Sequence, residues 1–132
     1  MDRTEYQKYA DAFNSRNYDA VYDFYAEDVE IAFFGVNLCS REEFKRFYNL
    51  LHAHIVETLT ISKFASSPEL VALEGTIRVE ATRTLPASTL EEAGLPTTFA
   101  IEAGQVLEMP QYIHYHLNEA GKITSVGCTL AS

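Results

Sequence analysis

Five polar side chains lie at or beside positions that the sequence pattern predicts to be buried, and they carry groups that can do chemistry: Tyr9, Tyr48, His54, Gln111 and Tyr115. Two phenols that a fold brings close together can donate paired hydrogen bonds to a carbonyl or enolate oxygen, and Tyr9 and Tyr48 are candidates for such a pair. An imidazole such as that of His54 can act as a general base near neutral pH. Gln111 occupies an apolar strand position, where a buried amide needs a protein partner or a ligand.

Each of these residues also has a purely structural interpretation. The two tyrosines can be core aromatics that bond to each other, and a lone histidine at the edge of a helical stripe can simply complete the packing. His114 and His116 alternate along one strand and so project to one face. Two histidines without a third ligand make a weak metal site, so the sequence predicts no metal centre.

The elements that must position these residues begin with two predicted helices. Thr4 to Gln7 has the pattern of a capping box, and Asn17 suits the start of a second helix. The first helix presents one aromatic face: Tyr6, Tyr9, Ala10 and Phe13. The second buries a similar face: Tyr18, Val21, Tyr22 and Tyr25. Alternation over 29–33 then predicts the first strand.

A third helix follows a predicted loop at 35–39. Ser40 to Glu43 forms a second capping box, and Glu42 adds negative charge where the helix dipole favours it. The helix is predicted to bury one stripe of residues: Phe44, Phe47, Tyr48, Leu51 and Ile55. His54 lies at the edge of this stripe. The β-branched segment 58–62 predicts a strand, and a turn at 66–68 follows.

The rest of the chain predicts an antiparallel sheet. From Glu69 to Glu80 apolar and polar residues alternate, which indicates a strand covered on one side only. Residues 86–103 interrupt this pattern with two prolines and a glycine. A segment of this length is typical of a flap over a binding site, and 88–93 can form one helical turn within it.

The final hairpin, 104–130, turns at Asn118 to Gly121. Besides Gln111, the inward face of its first strand is predicted to hold Leu107, Met109, Ile113, Tyr115 and Leu117. The return strand serves the same face through Ile123, Val126, Cys128 and Leu130. Because Ile123 and Val126 differ in parity, we expect a bulge near Ser125. A register shift of one residue would exchange all inward and outward positions.

The composition limits the classes of function. The chain has 132 residues, and we expect one domain with one core over 1–132. Its net charge of −9 makes nucleic acid and anionic membrane surfaces poor partners. We expect a cytoplasmic protein, because no segment has the apolar length of a membrane span and the N-terminus lacks a secretion signal. Cys39 and Cys128 fit neither a disulfide framework nor a metal motif.

Three helices followed by a bent antiparallel sheet resemble the nuclear-transport-factor-2-like (NTF2-like, cystatin-like) α+β cone. The segment QKYADAFNSRNYDAVYDFYAEDVEI resembles the opening of that superfamily: an aromatic helix, a small polar break and an acidic run before the first strand. NEAGKITSV resembles its closing hairpin. Within the superfamily the chain is similar to SnoaL-like polyketide cyclases and ketosteroid-isomerase-like proteins. The resemblance covers nearly all of the chain outside 86–103, and it implies helices packed on a strongly curved, mixed or antiparallel sheet.

Residue by residue, the resemblance implies only part of a known active site. The oxyanion-side tyrosine of ketosteroid isomerases falls on Tyr9, and a supporting tyrosine falls on Tyr48. The positions of two catalytic carboxyl groups fall on Phe33 and Ile113, which cannot transfer a proton. Ketosteroid isomerase activity itself is therefore not expected.

In a fold of this kind the interior is a cavity between the helices and the concave face of the sheet. The residues predicted to line it are apolar or nearly so: Phe13, Phe33, Phe47, Ile77, Met109, Ile113, Val126 and Cys128. A cavity with few polar groups suits a small hydrophobic ligand.

Three functional interpretations follow. The first is a cofactor-independent, homodimeric enzyme that isomerises, cyclises or dehydrates a hydrophobic carbonyl compound, such as a polyketide or terpenoid intermediate. In it Tyr9 and Tyr48 polarise the oxygen, while His54 or a water held by Gln111 moves the proton. The second is a binding module that carries a hydrophobic ligand unchanged, and the third is a dimerisation unit with a filled cone. The resemblance implies dimer contacts on the outer sheet face, where Tyr112 and the two histidines of that strand are predicted to lie.

Overall fold

The elements follow the predicted order, with one short strand, β2 (Val36–Leu38), added in the predicted loop 35–39. The computed structural model describes residues 1–131. The helices are α1 (Arg3–Asn14), α2 (Tyr18–Tyr22), α3 (Arg41–His52) and α4 (Ala87–Glu92). The strands are β1 (Tyr25–Phe33), β2 (Val36–Leu38), β3 (Ile55–Ser67), β4 (Leu70–Ala81), β5 (Val106–Leu117) and β6 (Ile123–Leu130).

All six strands form one sheet in the order β2-β1-β6-β5-β4-β3. β1 pairs with β6 in parallel and the other neighbours pair antiparallel, so the sheet is mixed. The predicted bulge is present: Leu117 pairs with Ile123 and His116 with Ser125, which leaves Thr124 without a partner residue. Helices on one face of a mixed sheet confirm the predicted α+β architecture.

The first helix begins two residues earlier than predicted. Asp2 is its N-cap, and the carboxylate of Asp2 accepts the backbone N–H of Glu5 at 2.8 Å. The Glu5 carboxylate accepts the N–H of Asp2 in return. Thr4 and Gln7 therefore lie inside the helix, because Asp2 and Glu5 provide the same reciprocal contacts sooner.

The predicted caps of α2 and α3 are confirmed. The Asn17 side chain accepts the N–H of Ala20 at 3.2 Å, and the Ser40 hydroxyl accepts the N–H of Glu43 at 3.1 Å. The Glu43 carboxylate accepts the N–H of Cys39 instead of that of Ser40, so only half of the capping box predicted at α3 is formed. The Asn17 and Ser40 side chains satisfy backbone donors that the first helical turn leaves free.

Several further boundaries differ from the prediction, and the turn predicted at 66–68 lies at 68–69, because β3 continues to Ser67. Tyr25 belongs to β1 rather than to the second helix, and the predicted loop 35–39 contains β2. Ile55 opens β3, where it pairs with Ala81, instead of closing the stripe of α3. Tertiary pairing sets the end of α3, because no glycine or proline there gives a local stop signal.

The end of α1 holds the start of β3, which is an edge strand. The Asn14 side chain donates to the Leu59 carbonyl at 3.0 Å and accepts the Leu59 N–H at 2.8 Å. The Arg16 guanidinium donates to the carbonyls of His52 and Ile55 at 3.0 and 3.1 Å. Side chains thus provide the backbone pairing that an edge strand lacks, and they fix the position of residues 55–59.

The predicted flap, 86–103, is a packed cover. Leu90 of α4 is fully buried, and Leu85 and Ile101 form an isolated bridge at the base of the segment. The helical turn predicted at 88–93 corresponds to α4, and a 3₁₀ turn follows at Thr97–Phe99. The Pro96 ring lies 3.2 Å from the place where a Cβ would stand on Gly35, so the cover touches the β1–β2 turn.

The register of β5 places its two faces as the alternation predicted. Gln111, Ile113 and Tyr115 are buried, whereas His114 and His116 are exposed on the outer face. Among residues 1–131, no helix is long and apolar enough to cross a membrane.

Candidate functional site

A cavity of about 520 Å³ lies between α1, α3 and the concave face of the sheet. Its wall contains every residue predicted to line it: Phe13, Phe33, Phe47, Ile77, Met109, Ile113, Val126 and Cys128. Residues 98–101 of the cover close one side. Eight wall residues carry a polar group: Tyr9, Tyr25, Tyr48, Glu57, Thr98, Gln111, Tyr115 and Cys128. A small set of polar groups in an apolar wall is typical of a site for a small molecule.

Tyr9 and Tyr48 both reach this cavity, but they do not bond to each other. The Tyr9 hydroxyl lies 2.7 Å from the hydroxyl of Tyr25. The Tyr48 hydroxyl makes no hydrogen bond within residues 1–131, and its ring packs at 4.8 Å, centroid to centroid, against both Phe44 and Phe47. Tyr48 therefore offers a phenolic donor to a ligand, whereas Tyr9 is already engaged.

Tyr115 packs against Tyr9 and also lies on the cavity wall. Its hydroxyl lies 2.6 Å from that of Tyr6, and its ring meets the Tyr9 ring edge-on at 5.5 Å. Burial raises the pKa of Tyr115 well above its usual value, and it raises the pKa of Tyr9 to about 12. Both phenols are therefore neutral at physiological pH and act as hydrogen-bonding groups.

Gln111 is the inward-facing amide that the sequence predicted. Its residue is only 4% exposed, and its side chain makes no hydrogen bond within residues 1–131. The amide lies on the cavity wall and is therefore not fully buried. Among the described residues, every fully buried side-chain nitrogen or oxygen atom has a hydrogen-bond partner. Its oxygen and nitrogen are available to a ligand or to a water that the ligand holds.

The sequence analysis missed Glu57, the one charged side chain on the cavity wall among residues 1–131. Glu57 lies on the inward face of β3 between Ile55 and Leu59, and it pairs with Val79 of β4. Its side chain is 13% exposed. A carboxylate among apolar neighbours is costly unless it is paired, so its partner determines what it can do.

That partner is His52, which the sequence analysis also missed. The Nε2 atom of His52 lies 2.8 Å from the Glu57 carboxylate, and the Nδ1 atom lies 2.7 Å from the Tyr18 hydroxyl. The His52 side chain is 3% exposed and is not part of the cavity wall. Tyr18, His52 and Glu57 therefore form a hydrogen-bonded row that ends at the cavity.

Both missed residues left a signal in the sequence. His52 follows Tyr48 by four positions, so it lies on the same helical stripe as Phe44 and Tyr48. Glu57 shares strand parity with Leu59, but the strand was predicted to begin only at 58. Extending the predicted strand by one residue, to 57, would have placed the Glu57 carboxylate on the inward face.

The charge of Glu57 also affects its neighbours across the cavity. Burial, and then the negative charge of Glu57, raises the pKa of Tyr48 well above its usual value. The same two causes raise the pKa of Cys128 from 9.0 to about 11. Tyr48 and Cys128 are therefore neutral groups on the same cavity wall as the Glu57 carboxylate.

His54 does not join this arrangement. It lies on the turn after α3, where its Nδ1 atom lies 3.1 Å from the carbonyl of Thr84, and it is absent from the cavity wall. The helix ends at His52 instead of extending to residue 55, and this turns His54 away from the stripe on which it was predicted. The proton-accepting side chain on the cavity wall is therefore that of Glu57, and not that of His54 as predicted.

The histidines of β5 remain outside the site. His114 and His116 are exposed on the outer face. Within residues 1–131 no group of three or more His, Cys, Asp or Glu residues is placed to hold a metal ion.

The site inside the cone can therefore be described by its chemistry. It combines one carboxylate, a free phenol, a free amide and an apolar wall. A carboxylate can take up a proton, and neutral donors can stabilise negative charge on an oxygen.

Comparison with known proteins places this chain in a family. The sequence profile of the SnoaL-like domain matches residues 6–126. The chain belongs to the SnoaL-like domain family. A comparison of this SnoaL-like sequence with curated protein sequences gave no match.

Solved structures share the SnoaL-like fold. A provisionally assigned polyketide cyclase from Xanthomonas campestris is 25% identical with a TM-score of 0.71, and the alignment covers 92% of this chain and 84% of that chain. A protein with a ketosteroid-isomerase-like fold from Catenulispora acidiphila is 14% identical with a TM-score of 0.72, over 98% and 86% of the two chains. An epoxide hydrolase from M. tuberculosis is 10% identical with a TM-score of 0.67, over 95% and 78%. The latter two establish the fold alone.

Proposed function

We propose that this SnoaL-like protein is a small-molecule enzyme that isomerises, cyclises or dehydrates a hydrophobic carbonyl compound. A polyketide or terpenoid intermediate has the size and apolar surface that the cavity accepts. The observation that carries the proposal is the Glu57 carboxylate on the wall of an apolar cavity that also presents the unbonded hydroxyl of Tyr48. The family membership and the similarity to a provisionally assigned cyclase support the same class of reaction.

In the proposed reaction Glu57 removes a proton from the carbon next to the carbonyl group. The electron pair of that C–H bond forms the enolate, and the negative charge moves to oxygen. Tyr48 and the Gln111 amide donate hydrogen bonds to this oxygen. Isomerisation returns the proton from Glu57 to another carbon. In cyclisation the enolate carbon attacks the carbon of a second carbonyl group, and the alkoxide oxygen that forms there takes the proton from Glu57. In dehydration the enolate expels a β-hydroxyl group, which leaves as water with the proton from Glu57.

Tyr9 and Tyr115 have a supporting role in this proposal. Their hydroxyls are already bonded to those of Tyr25 and Tyr6, so these groups form a polar end to the cavity. Tyr48 carries the direct contact to substrate oxygen that the Tyr9–Tyr48 pair was predicted to make. Proton transfer of this kind uses only side-chain acids and bases, so the proposed reaction needs no cofactor.

The second candidate function is a carrier that binds a hydrophobic ligand and leaves it unchanged. Two observations favour it: Phe33 and Ile113 line the cavity at the positions where ketosteroid isomerases carry carboxyl groups, and most of the wall is apolar. The two candidates differ in what they do to the bound molecule, so they can be separated by product analysis.

A homodimer through the outer sheet face and a cytoplasmic location complete the proposal. That face presents Tyr112, the exposed histidines of β5, and Arg78. The guanidinium of Arg78 lies 3.6 Å from the carboxylate of Glu80. An aromatic and charged surface of this kind suits a contact between copies. Cys39 and Cys128 are both free thiols, as expected in a reducing compartment.

Product analysis with a panel of hydrophobic ketones, enones and β-hydroxyketones tests the proposed function. The enzyme proposal expects at least one compound to be converted, and expects a Tyr9→Phe, Tyr48→Phe double variant to lose turnover. Unchanged turnover in that variant would remove the tyrosines from the mechanism. Native mass spectrometry that recovers a co-purified ligand, with no conversion of that ligand at any pH, would favour the carrier.

A further inference from the structure

The charge on the cavity wall has a single sign. Among residues 1–131, no lysine or arginine belongs to the wall, and Glu57 is its one carboxylate. The remaining acidic groups on the wall stay protonated near neutral pH. Burial raises the pKa of Tyr9 to about 12, and burial together with Glu57 raises that of Cys128 to about 11.

The groups behind the wall do not reverse this sign. His52 bonds to Glu57 but is not part of the wall, so the carboxylate and not the imidazole faces the cavity. Arg16 is also off the wall, and its guanidinium donates to the carbonyls of His52 and Ile55. A ligand in the cavity therefore meets the negative end of the Glu57–His52 pair.

Aromatic faces add to the same preference. The wall includes Phe13, Phe33, Phe47 and Phe99, whose ring faces carry partial negative charge. An ammonium group gains from such faces and from a carboxylate, and an anion gains from neither. An anionic ligand would lose its water shell without receiving a cationic partner.

We propose that the cavity selects its ligand by charge: it binds hydrophobic molecules that are uncharged or carry a basic amine directed at Glu57, and it rejects carboxylates, sulfonates and phosphates. The inference rests on the proposed function only for the place where the substrate binds. It does not require that any bound molecule be converted.

Three ligands of nearly equal shape test this inference: 1-naphthylmethanol, 1-naphthylmethylamine and 1-naphthoate. Isothermal titration calorimetry at pH 7 measures the affinity of each for the wild-type protein. We expect the amine to bind at least as tightly as the alcohol, and the naphthoate to bind about tenfold more weakly than the alcohol, or worse. Equal affinity of naphthoate and alcohol, or no binding of any of the three, would overturn the inference.

Two variants assign the preference to Glu57. Glu57→Gln keeps a hydrogen-bond acceptor for His52 and removes the charge, so we expect the gap between naphthoate and alcohol to shrink about tenfold and the advantage of the amine to disappear. Glu80→Gln removes the same charge from the outer face and should change neither ratio. A thermal melt of each variant establishes folding, and an unchanged rank order in folded Glu57→Gln would contradict the proposal. Charge selectivity without turnover would leave this inference standing while the enzyme proposal fails.

Discussion

The Nε2 atom of His52 lies 2.8 Å from the carboxylate of Glu57, and this contact ties the last turn of α3 to the inward face of β3. Tyr18 holds the opposite ring nitrogen at 2.7 Å, so both nitrogens of the imidazole are engaged. A side chain fixed at both ends orients the group it touches, as catalytic sites require. The same arrangement leaves the second Glu57 oxygen without a hydrogen bond inside residues 1–131, ready for a ligand.

The start of β3 depends on Asn14, so Asn14→Ala should destabilise the protein. The change removes both hydrogen bonds to the Leu59 backbone, and we expect a loss of about 2 kcal/mol in the free energy of unfolding. Urea denaturation measures it. Ser15→Ala is the control, because Ser15 is exposed and its hydroxyl bonds only to the Ala12 carbonyl. Equal stability of the Asn14 variant and the wild type would show that the contact does not hold β3.

The buried tyrosines and Cys128 make stability fall at alkaline pH. The folded-state pKa values of Tyr9, about 12, and of Cys128, about 11, lie above the ordinary values of 10.0 and 9.0. The folded protein therefore binds these protons more tightly than the unfolded chain, and the stabilisation present at neutral pH is lost between about pH 9 and 12.

Urea denaturation across that range, with phenolate absorbance at 295 nm, measures this loss. Tyr9→Phe should lose less stability between pH 9 and 12 than the wild type does. Tyr112→Phe, a change on the exposed outer face, should follow the wild type. A flat stability profile up to pH 12 would contradict the expected proton linkage.

The two cysteines should differ in their reaction with iodoacetamide at pH 8. Cys39 is exposed, whereas Cys128 lines the cavity and burial raises its pKa to about 11. Because the thiolate is the reactive form, Cys39 should be alkylated first and Cys128 much more slowly. Peptide mass spectrometry follows each site. Saturating 1-naphthylmethanol should slow Cys128 further and leave Cys39 unchanged; protection of Cys39 instead would place the ligand elsewhere.

Phe34 combines backbone strain with a position at the cavity wall. It has a φ of 45° in the β1–β2 turn, and its side chain lines the cavity while remaining 41% exposed. Asparagine accepts positive φ more readily, so Phe34→Asn should raise the free energy of unfolding by about 1 kcal/mol and weaken binding of 1-naphthylmethanol. Val56→Asn is the control at a similarly exposed position of extended backbone. A destabilised Phe34 variant with unchanged affinity would show that the residue serves packing alone.

The fold was predictable from the sequence because its signals are local and mutually consistent. The caps at Asn17 and Ser40, the alternation along β4 and the bulge near Ser125 are all encoded within a few residues. The cavity itself was implied by the resemblance to the NTF2-like fold, and the alternation of the strands then gave the inward position of Gln111.

The charged part of the site was not predictable in the same way, because it depends on where α3 ends and β3 begins. Two contacts set that boundary. Ile55 pairs with Ala81, and the Arg16 guanidinium donates hydrogen bonds to two backbone carbonyls, those of His52 and Ile55. Both contacts link residues far apart in sequence. The helix α3 ends at His52, three residues before the predicted end at residue 55. As a result His52 is the buried histidine of the stripe instead of His54, and Glu57 lies on the inward face of β3.

Deuterium exchange into 2-tetralone in D₂O, followed by proton NMR, tests the central claim that Glu57 is a base inside this cavity. The wild-type protein should exchange the protons next to the carbonyl group faster than buffer alone, and Glu57→Gln should reduce the catalysed rate by about 100-fold or more. Glu80→Gln should exchange at the wild-type rate. A folded Glu57→Gln variant that exchanges as fast as the wild type, or a wild-type rate no greater than that of buffer, would contradict the account.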